Sequence, residues 1–204
     1  MSSEPTRDPR TDPLLTPANS ALVIIDYQPN QIGTVKSMDT ELLTRNIVSV
    51  ARLGKAYGLP IVLSTVNAAA GQGPTLPAIK DVLSDNVEID RSQINSWEDV
   101  EFRKAVEATG RKKLIMCALW TEVCLAFPAL DALRAGYEVF PVVDAVGGTS
   151  VEAHRAGLER IVQAGAQPIS WVSLACELQR DWARTKTVPA VVDIVLTSRL
   201  LKGV

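Results

Sequence analysis

Six short apolar runs, at residues 21–25, 61–63, 87–89, 114–119, 139–143 and 168–171, alternate along this chain with stretches of helical spacing. The runs are continuous and rich in Val, Ile and Leu, the pattern of strands covered on both faces. Helices between such strands impose right-handed crossovers and therefore a mainly parallel sheet. The apolar spacing places helices over 41–57, 78–83, 97–108, 123–135, 150–164, 174–184 and 190–201. Gly58, Gly110, Gly136 and Gly165 follow four of them, where a helix end favours glycine. Ser150 is placed to cap the helix that follows it. The expected architecture is an α/β, three-layer α-β-α sandwich around a roughly six-stranded, doubly wound sheet.

With 204 residues and 47% hydrophobic content, the chain can bury one full core. Residues 1–17 read as a polar, Pro-rich tail, 18–185 as the domain and 186–204 as a C-terminal helical arm. A net charge of −2 gives no reason to expect nucleic acid or an anionic membrane surface. No apolar run approaches the roughly 20 residues of a membrane span. Three cysteines, an odd number without paired spacing, fit a reducing, cytoplasmic compartment. A single histidine, His154, is too few for a multi-His metal site, so no metal is expected.

Ligands of doubly wound sheets bind at the carboxyl ends of the strands. Asp26, Cys124 and Asp144 each sit just past an apolar run, and Arg91 ends the third. A thiol where a strand hands over to a helix can be acidified by the helix N-terminus, whose N–H groups can also hold an oxyanion. A free cysteine is equally a small buried hydrophobe, the reading given to Cys117 and Cys176. Asp26 reads as a cap or ion-pair partner, or as a general base. Arg91 reads as a solvated charge or as the clamp that holds a thiolate and a carboxylate together. By position, Tyr27, Asn95, Trp97, Trp120 and Phe127 are expected to line a small, partly aromatic cleft for a small-molecule substrate, although Asn95 and Trp97 could simply start the next helix. The loop 147–154 lacks the Lys of a phosphate loop, and no G-x-G-x-x-G occurs, so nucleotide binding has little support. His154 reads as a surface or interface residue, and Trp171 and Trp182 as core or interface anchors.

The segments 23–28 (Val-Ile-Ile-Asp-Tyr-Gln), 95–97 (Asn-Ser-Trp), 108–113, 119–124 (Leu-Trp-Thr-Glu-Val-Cys), 144–148 and 177–182 occur in the order found in one family. Over about residues 21–184 the chain resembles the isochorismatase-like cysteine hydrolase superfamily, in particular its homo-oligomeric subgroup of uncertain substrate. The resemblance implies a cofactor-free hydrolase that cleaves a small amide or other C–N substrate through a covalent Cys acyl-enzyme. It makes Cys124 the nucleophile and Asp26 the base. It gives the backbone N–H groups of Trp120 and Cys124 to an oxyanion hole, after a cis peptide at Leu119–Trp120. It implies a tetramer or larger assembly. Arg91, 33 residues before Cys124 (124 − 91 = 33), stands where the family carries a catalytic Lys. Arg supplies the charge but cannot give up its proton. The alternative is therefore an oligomer of this fold with weak or lost catalysis, acting as a binding or scaffold protein. The Asp/His metal cluster of the superfamily's nicotinamidases has no counterpart here.

Overall fold

Residues Ser20–Ile25 form β1, and all six of its side chains are buried, as the unbroken apolar run demands. The computed structural model describes residues 7–197. β1 is the centre of a five-stranded sheet. It is flanked by β2 (Ile61–Val66) and β4 (Lys113–Ala118), with β3 (Glu88–Arg91) and β5 (Glu138–Pro141) outside them. The order β3-β2-β1-β4-β5 and the pairing, parallel throughout, make a doubly wound sheet. Winding runs outward from β1 in both directions, so the crevice where a ligand sits lies between the ends of β1 and β4.

The connections are α1 (Pro29–Gly33), α2 (Thr40–Ala56), α3 (Pro77–Lys80), α4 (Val100–Ala108), α5 (Ala126–Arg134), α6 (Val151–Gln163), α7 (Trp171–Gln179) and α8 (Val188–Thr197). Right-handed crossovers put helices on both faces. α2 packs with α7 and α8 in one layer, and α5 with α6 in the other. α2 turns Leu43, Ile47, Val50, Ala51 and Leu53 inward at the 3–4 residue spacing that the sequence displays. Its first turn is capped by Asp39, whose carboxylate accepts the Leu42 N–H at 2.7 Å. Asp39→Ala should cost about 1 kcal/mol in a thermal or urea melt, the ordinary worth of an N-cap.

Three expectations change. The sixth strand shrinks to one parallel bridge, Val142 to Ile169. The next residue, Ser170, already caps α7 by accepting the Ser173 N–H, so the chain leaves the sheet after a single pairing. Residues 7–17 are tied to the domain: Leu15 is fully buried, and Lys113 Nζ donates to the carbonyls of Asp12 and Pro13 at 2.8 and 2.6 Å. The C-terminal segment lies back on its own domain as far as it is described, with Asp193 of α8 paired to Arg52 of α2. Residues 1–6 and 198–204 of the expected tail and arm lie outside the described residues.

Candidate active site

Asp26 is the first residue past β1. Its N–H still donates to Ser64 O at 2.9 Å, as a further rung of the ladder, and then the chain turns, with Gln28 N–H donating to Asp26 O at 2.8 Å. The turn gives Asp26 a φ of +61°, in a region that Asp and Asn tolerate better than most residues. Gln28 fixes the far side of the turn. Its Oε1 accepts Val66 N–H at 2.9 Å, and its Nε2 donates to Val66 O at 3.1 Å and Gly73 O at 2.6 Å. That side chain joins the β1 end to the loop after β2. Its signal lay in the Asp-x-Gln spacing, though its role was not legible there.

Arg91 is the last residue of β3, two strands away from β1. Its guanidinium reaches across and grips Asp26 with both prongs, Nη1 to Oδ1 at 3.1 Å and Nη2 to Oδ2 at 2.8 Å. Nη1 also donates to Thr65 O at 3.2 Å. Both side chains have no solvent exposure. This is the planar fork geometry that only Arg provides. The bland reading of Arg91 as a solvated charge is thereby excluded.

Cys124 lies in a wide helical turn, Thr121–Leu125, between β4 and α5, and is 6% exposed. Its thiol lies beside the Asp26 carboxylate, close enough for each to shift the other's titration. The ends of β1 and β3 and the turn after β4 thus bring Asp26, Arg91 and Cys124 into one buried cluster at the switch point of the sheet.

The electrostatics differ from a helix-acidified thiol. Burial pushes the Cys124 thiol far above its ordinary range, and the neighbouring Asp26 carboxylate pushes it further. Arg91 and the backbone N–H of Trp120 pull the other way without prevailing. For Asp26, burial also raises the carboxyl above its usual value, against the pull of Arg91 and of the Cys124 thiol. Burial thus favours the protonated form of both groups, and sets the thiol beside a carboxylate able to accept its proton.

The Leu119–Trp120 peptide is cis. Trp120 O accepts the N–H groups of Val123 and Leu125, each at 3.1 Å. Its own N–H has no backbone carbonyl partner among the described residues and faces the Cys124 sulfur. The indole is held by donating to Gln31 O at 3.1 Å and to Thr34 Oγ1 at 2.9 Å.

The residues expected to line a cleft are scattered. Tyr27 is fully buried, with its hydroxyl donating to Ala145 O, so it packs in the core and lines no opening. Asn95 caps the short turn Ser96–Glu98 through the Trp97 N–H at 3.1 Å and donates to Asp131 of α5 at 2.8 Å. Trp97 packs edge-on against Phe102 and Tyr137, with centroids 6.4 and 5.6 Å apart. Phe127, half-buried on α5, lies under the Arg160 guanidinium at 5.9 Å. Of the five, Trp120 alone is tied to the Cys124 turn. Asp144 accepts Trp171 N–H at 2.8 Å, which commits it to α7. Trp171 is buried as expected of a core anchor, Cys117 likewise, whereas Cys176 and Trp182 are exposed. No group of three or more His, Cys, Asp or Glu side chains that could hold a metal comes together among the described residues.

A buried thiol, carboxylate and guanidinium thus meet at the switch point of a doubly wound parallel sheet. The chain belongs to the isochorismatase family: residues 20–173 match the isochorismatase domain. It is 38% identical over 165 residues to the probable hydrolase YcaC of Escherichia coli, covering 80% of this chain and 79% of that one. A solved structure of YcaC from Pseudomonas aeruginosa, with hexane-2,5-diol and covalent acrylamide, superposes with a TM-score of 0.82 at 32% identity, over 92% of this chain and 98% of that one. The Escherichia coli YcaC structure, described as an octameric hydrolase of unknown specificity, gives 0.81 at 32% identity, over 93% and 98%.

Proposed function

We propose that this protein is a cofactor-free cysteine hydrolase of a small amide or related C–N substrate. The observation that carries the reading is the convergence of the buried Cys124 thiol and the Asp26 carboxylate at the switch point, with Arg91 holding that carboxylate by both oxygens. As Cys124 Sγ bonds to the substrate carbonyl carbon, its proton passes to Asp26 and the C=O π pair moves to oxygen. The N–H groups of Trp120 and Cys124 receive that oxyanion. Asp26 then gives the proton to the leaving nitrogen, the C–N bond breaks and a thioester remains. Water attacks the thioester as Asp26 takes its proton; the oxyanion pair then re-forms the C=O bond, the C–S bond breaks, and Asp26 gives that proton to sulfur to restore the thiol. Arg91 contributes charge and orientation, not a proton.

Covalent acrylamide on the Pseudomonas aeruginosa relative supports an electrophile-accepting site in this fold. The octameric Escherichia coli relative supports a homo-oligomer, here tetrameric or larger. Three free cysteines support a reducing, cytoplasmic setting. The test is a screen of small amides together with incubation in acrylamide, followed by peptide mass analysis. Addition at Cys124 is expected in the wild type. A screen without turnover, together with a Cys124 that never adds acrylamide, refutes the reading.

One observation favours a second reading, an oligomer with weak or lost catalysis acting as a binding protein. Arg91 occupies both oxygens of Asp26 at once, which a Lys could not do. Under that reading Arg91→Lys gains turnover on the screened amides; under the first it gains none.

A further inference from the structure

We propose that His154 is a positioning residue for the nucleophile turn, acting through Thr121 on the Trp120 N–H. The proposal rests on the reading of Cys124 as the nucleophile. Thr121 directly follows Trp120 and is fully buried. Its hydroxyl lies 2.8 Å from His154 Nδ1 on α6, and its N–H donates to Gly147 O at 2.9 Å. Glu122, the next residue, accepts both the N–H and the hydroxyl of Thr149 on Oε1, at 3.0 and 2.6 Å. Its Oε2 is buried with no hydrogen-bond partner.

The backbone confirms how closely α6 is pressed to this turn. A Cβ on Gly157 would sit 2.8 Å from Glu122 Cα and 3.1 Å from Thr121 O. One on Gly148 would sit 2.6 Å from Glu122 Oε2 and 2.9 Å from His154 Cα. Contacts below 3 Å to backbone cannot be relieved by a rotamer change, so both positions need glycine. The α6 face and the 147–149 loop therefore form a bed, and the turn that carries Trp120 and Cys124 is tied to it at three points. Two of them, Thr121 N–H to Gly147 and Glu122 to Thr149, run through the loop. The third runs through the His154 ring.

Burial lowers the basicity of His154, against the opposing field of Glu122, so the ring is neutral at neutral pH. Glu122 is the charged group facing it from the turn; on α6 itself Arg155 and Glu159 pair with each other at 3.5 Å. A neutral ring with Nδ1 unprotonated accepts the Thr121 hydroxyl proton, which fixes the Thr121 side chain and with it the peptide that follows Trp120. A protonated ring presents a donor at Nδ1 instead, and Thr121 must reverse its role. Small displacements of an oxyanion donor carry large rate penalties, so a bond one residue from Trp120 is well placed to matter.

The experiment uses two reagents on the full-length protein at one pH. Acrylamide adds through an enolate: the S–C bond forms at its β-carbon, the π electrons move to the carbonyl oxygen, and the thiol proton ends on the α-carbon. Methyl methanethiosulfonate captures the sulfur by displacing sulfinate, with no carbonyl oxyanion. His154→Leu should slow acrylamide addition to Cys124 by about tenfold to a hundredfold, and leave the methanethiosulfonate rate unchanged. His154→Asn, which returns an acceptor near the Nδ1 position, should recover the acrylamide rate. Thr121→Val removes the same bond from the other side and keeps the test open if the Leu variant does not fold. It should give the same selective loss, and the double variant should be no slower than either single one. Equal slowing toward both reagents, no loss toward acrylamide, failure of Asn to rescue, or additive losses would each overturn the proposal. A wild-type Cys124 inert to both reagents removes the nucleophile reading and this inference together, whereas a reactive wild type without the selective loss removes the inference alone.

Discussion

Arg91→Leu should cost about 3–5 kcal/mol of stability at neutral pH, because it leaves an ionised carboxylate unpaired in the core. Asp26 and Arg91 are both without solvent exposure, and the fork supplies a partner for each Asp26 oxygen. Without it, Asp26 is left with the Cys124 thiol beside it among the described residues. The sign of the pH dependence follows. In the variant the folded-state pKa of Asp26 rises further above the unfolded value of about 3.9. A carboxyl raised in the folded state lowers stability above its folded pKa, and that penalty disappears as pH falls below the unfolded one. The gap between wild type and variant, read by urea unfolding, should therefore narrow as pH is brought down from 7 toward about 4. Arg91→Lys keeps the charge but loses the fork, and should cost about 1.5–3 kcal/mol, one charge-assisted hydrogen bond. A gap that stays constant with pH, or equal losses for Leu and Lys, would mean that packing rather than charge pairing holds the site.

How much of this was legible beforehand depended on which physical signal each residue carried. Asp26, Arg91 and Cys124 each end or follow an apolar run, and a parallel sheet puts all such ends on one edge. Their convergence could therefore be inferred before any distance was known. The bidentate grip could not, since it requires β3 to lie two places from β1. Tyr27 was misplaced because its neighbour Asp26 turns with φ +61°, which sends the following ring into the core. Period-two reasoning carries no information past such a turn. The sixth strand failed for a related reason, with Ser170 capping a helix one residue after the bridge at Ile169. His154 read as a surface residue because helical spacing says which face is polar, not what that face meets. Its contact with Thr121 joins residues 33 apart in sequence, and only the packing of α6 on the turn creates it. The thiol was expected to be acidified by a helix end. In its place a buried carboxylate lies against it, and burial with like charge outweighs the N–H groups of the turn.

That inversion makes Asp26 separable into two roles, and one substitution should pull them apart. Cys124→Ala should abolish turnover on any amide the screen returns, while leaving the fold intact, because the cluster loses only sulfur. Asp26→Asn should also lower turnover, by about 10²–10⁴-fold, the usual worth of a positioned general base. Yet the same substitution should make Cys124 more reactive toward a thiolate-selective alkylating reagent near neutral pH. Asn removes the negative charge that, after burial, does most to hold the proton on sulfur, and it leaves Arg91 to favour the thiolate against burial alone. In the wild type the alkylation rate should keep rising as pH is taken above neutrality, since the thiol titrates high. In Asp26→Asn the curve should shift toward lower pH. Circular dichroism on both variants guards against loss of fold. If the Asn curve stays where the wild-type curve lies, the carboxylate is not what keeps Cys124 protonated. If turnover survives the substitution, it is not the base either. Faster alkylation together with slower turnover separates the two roles of Asp26 only where circular dichroism and the unfolding transition match the wild type, because a loosened site that exposes the thiol would itself relieve the burial that raises it.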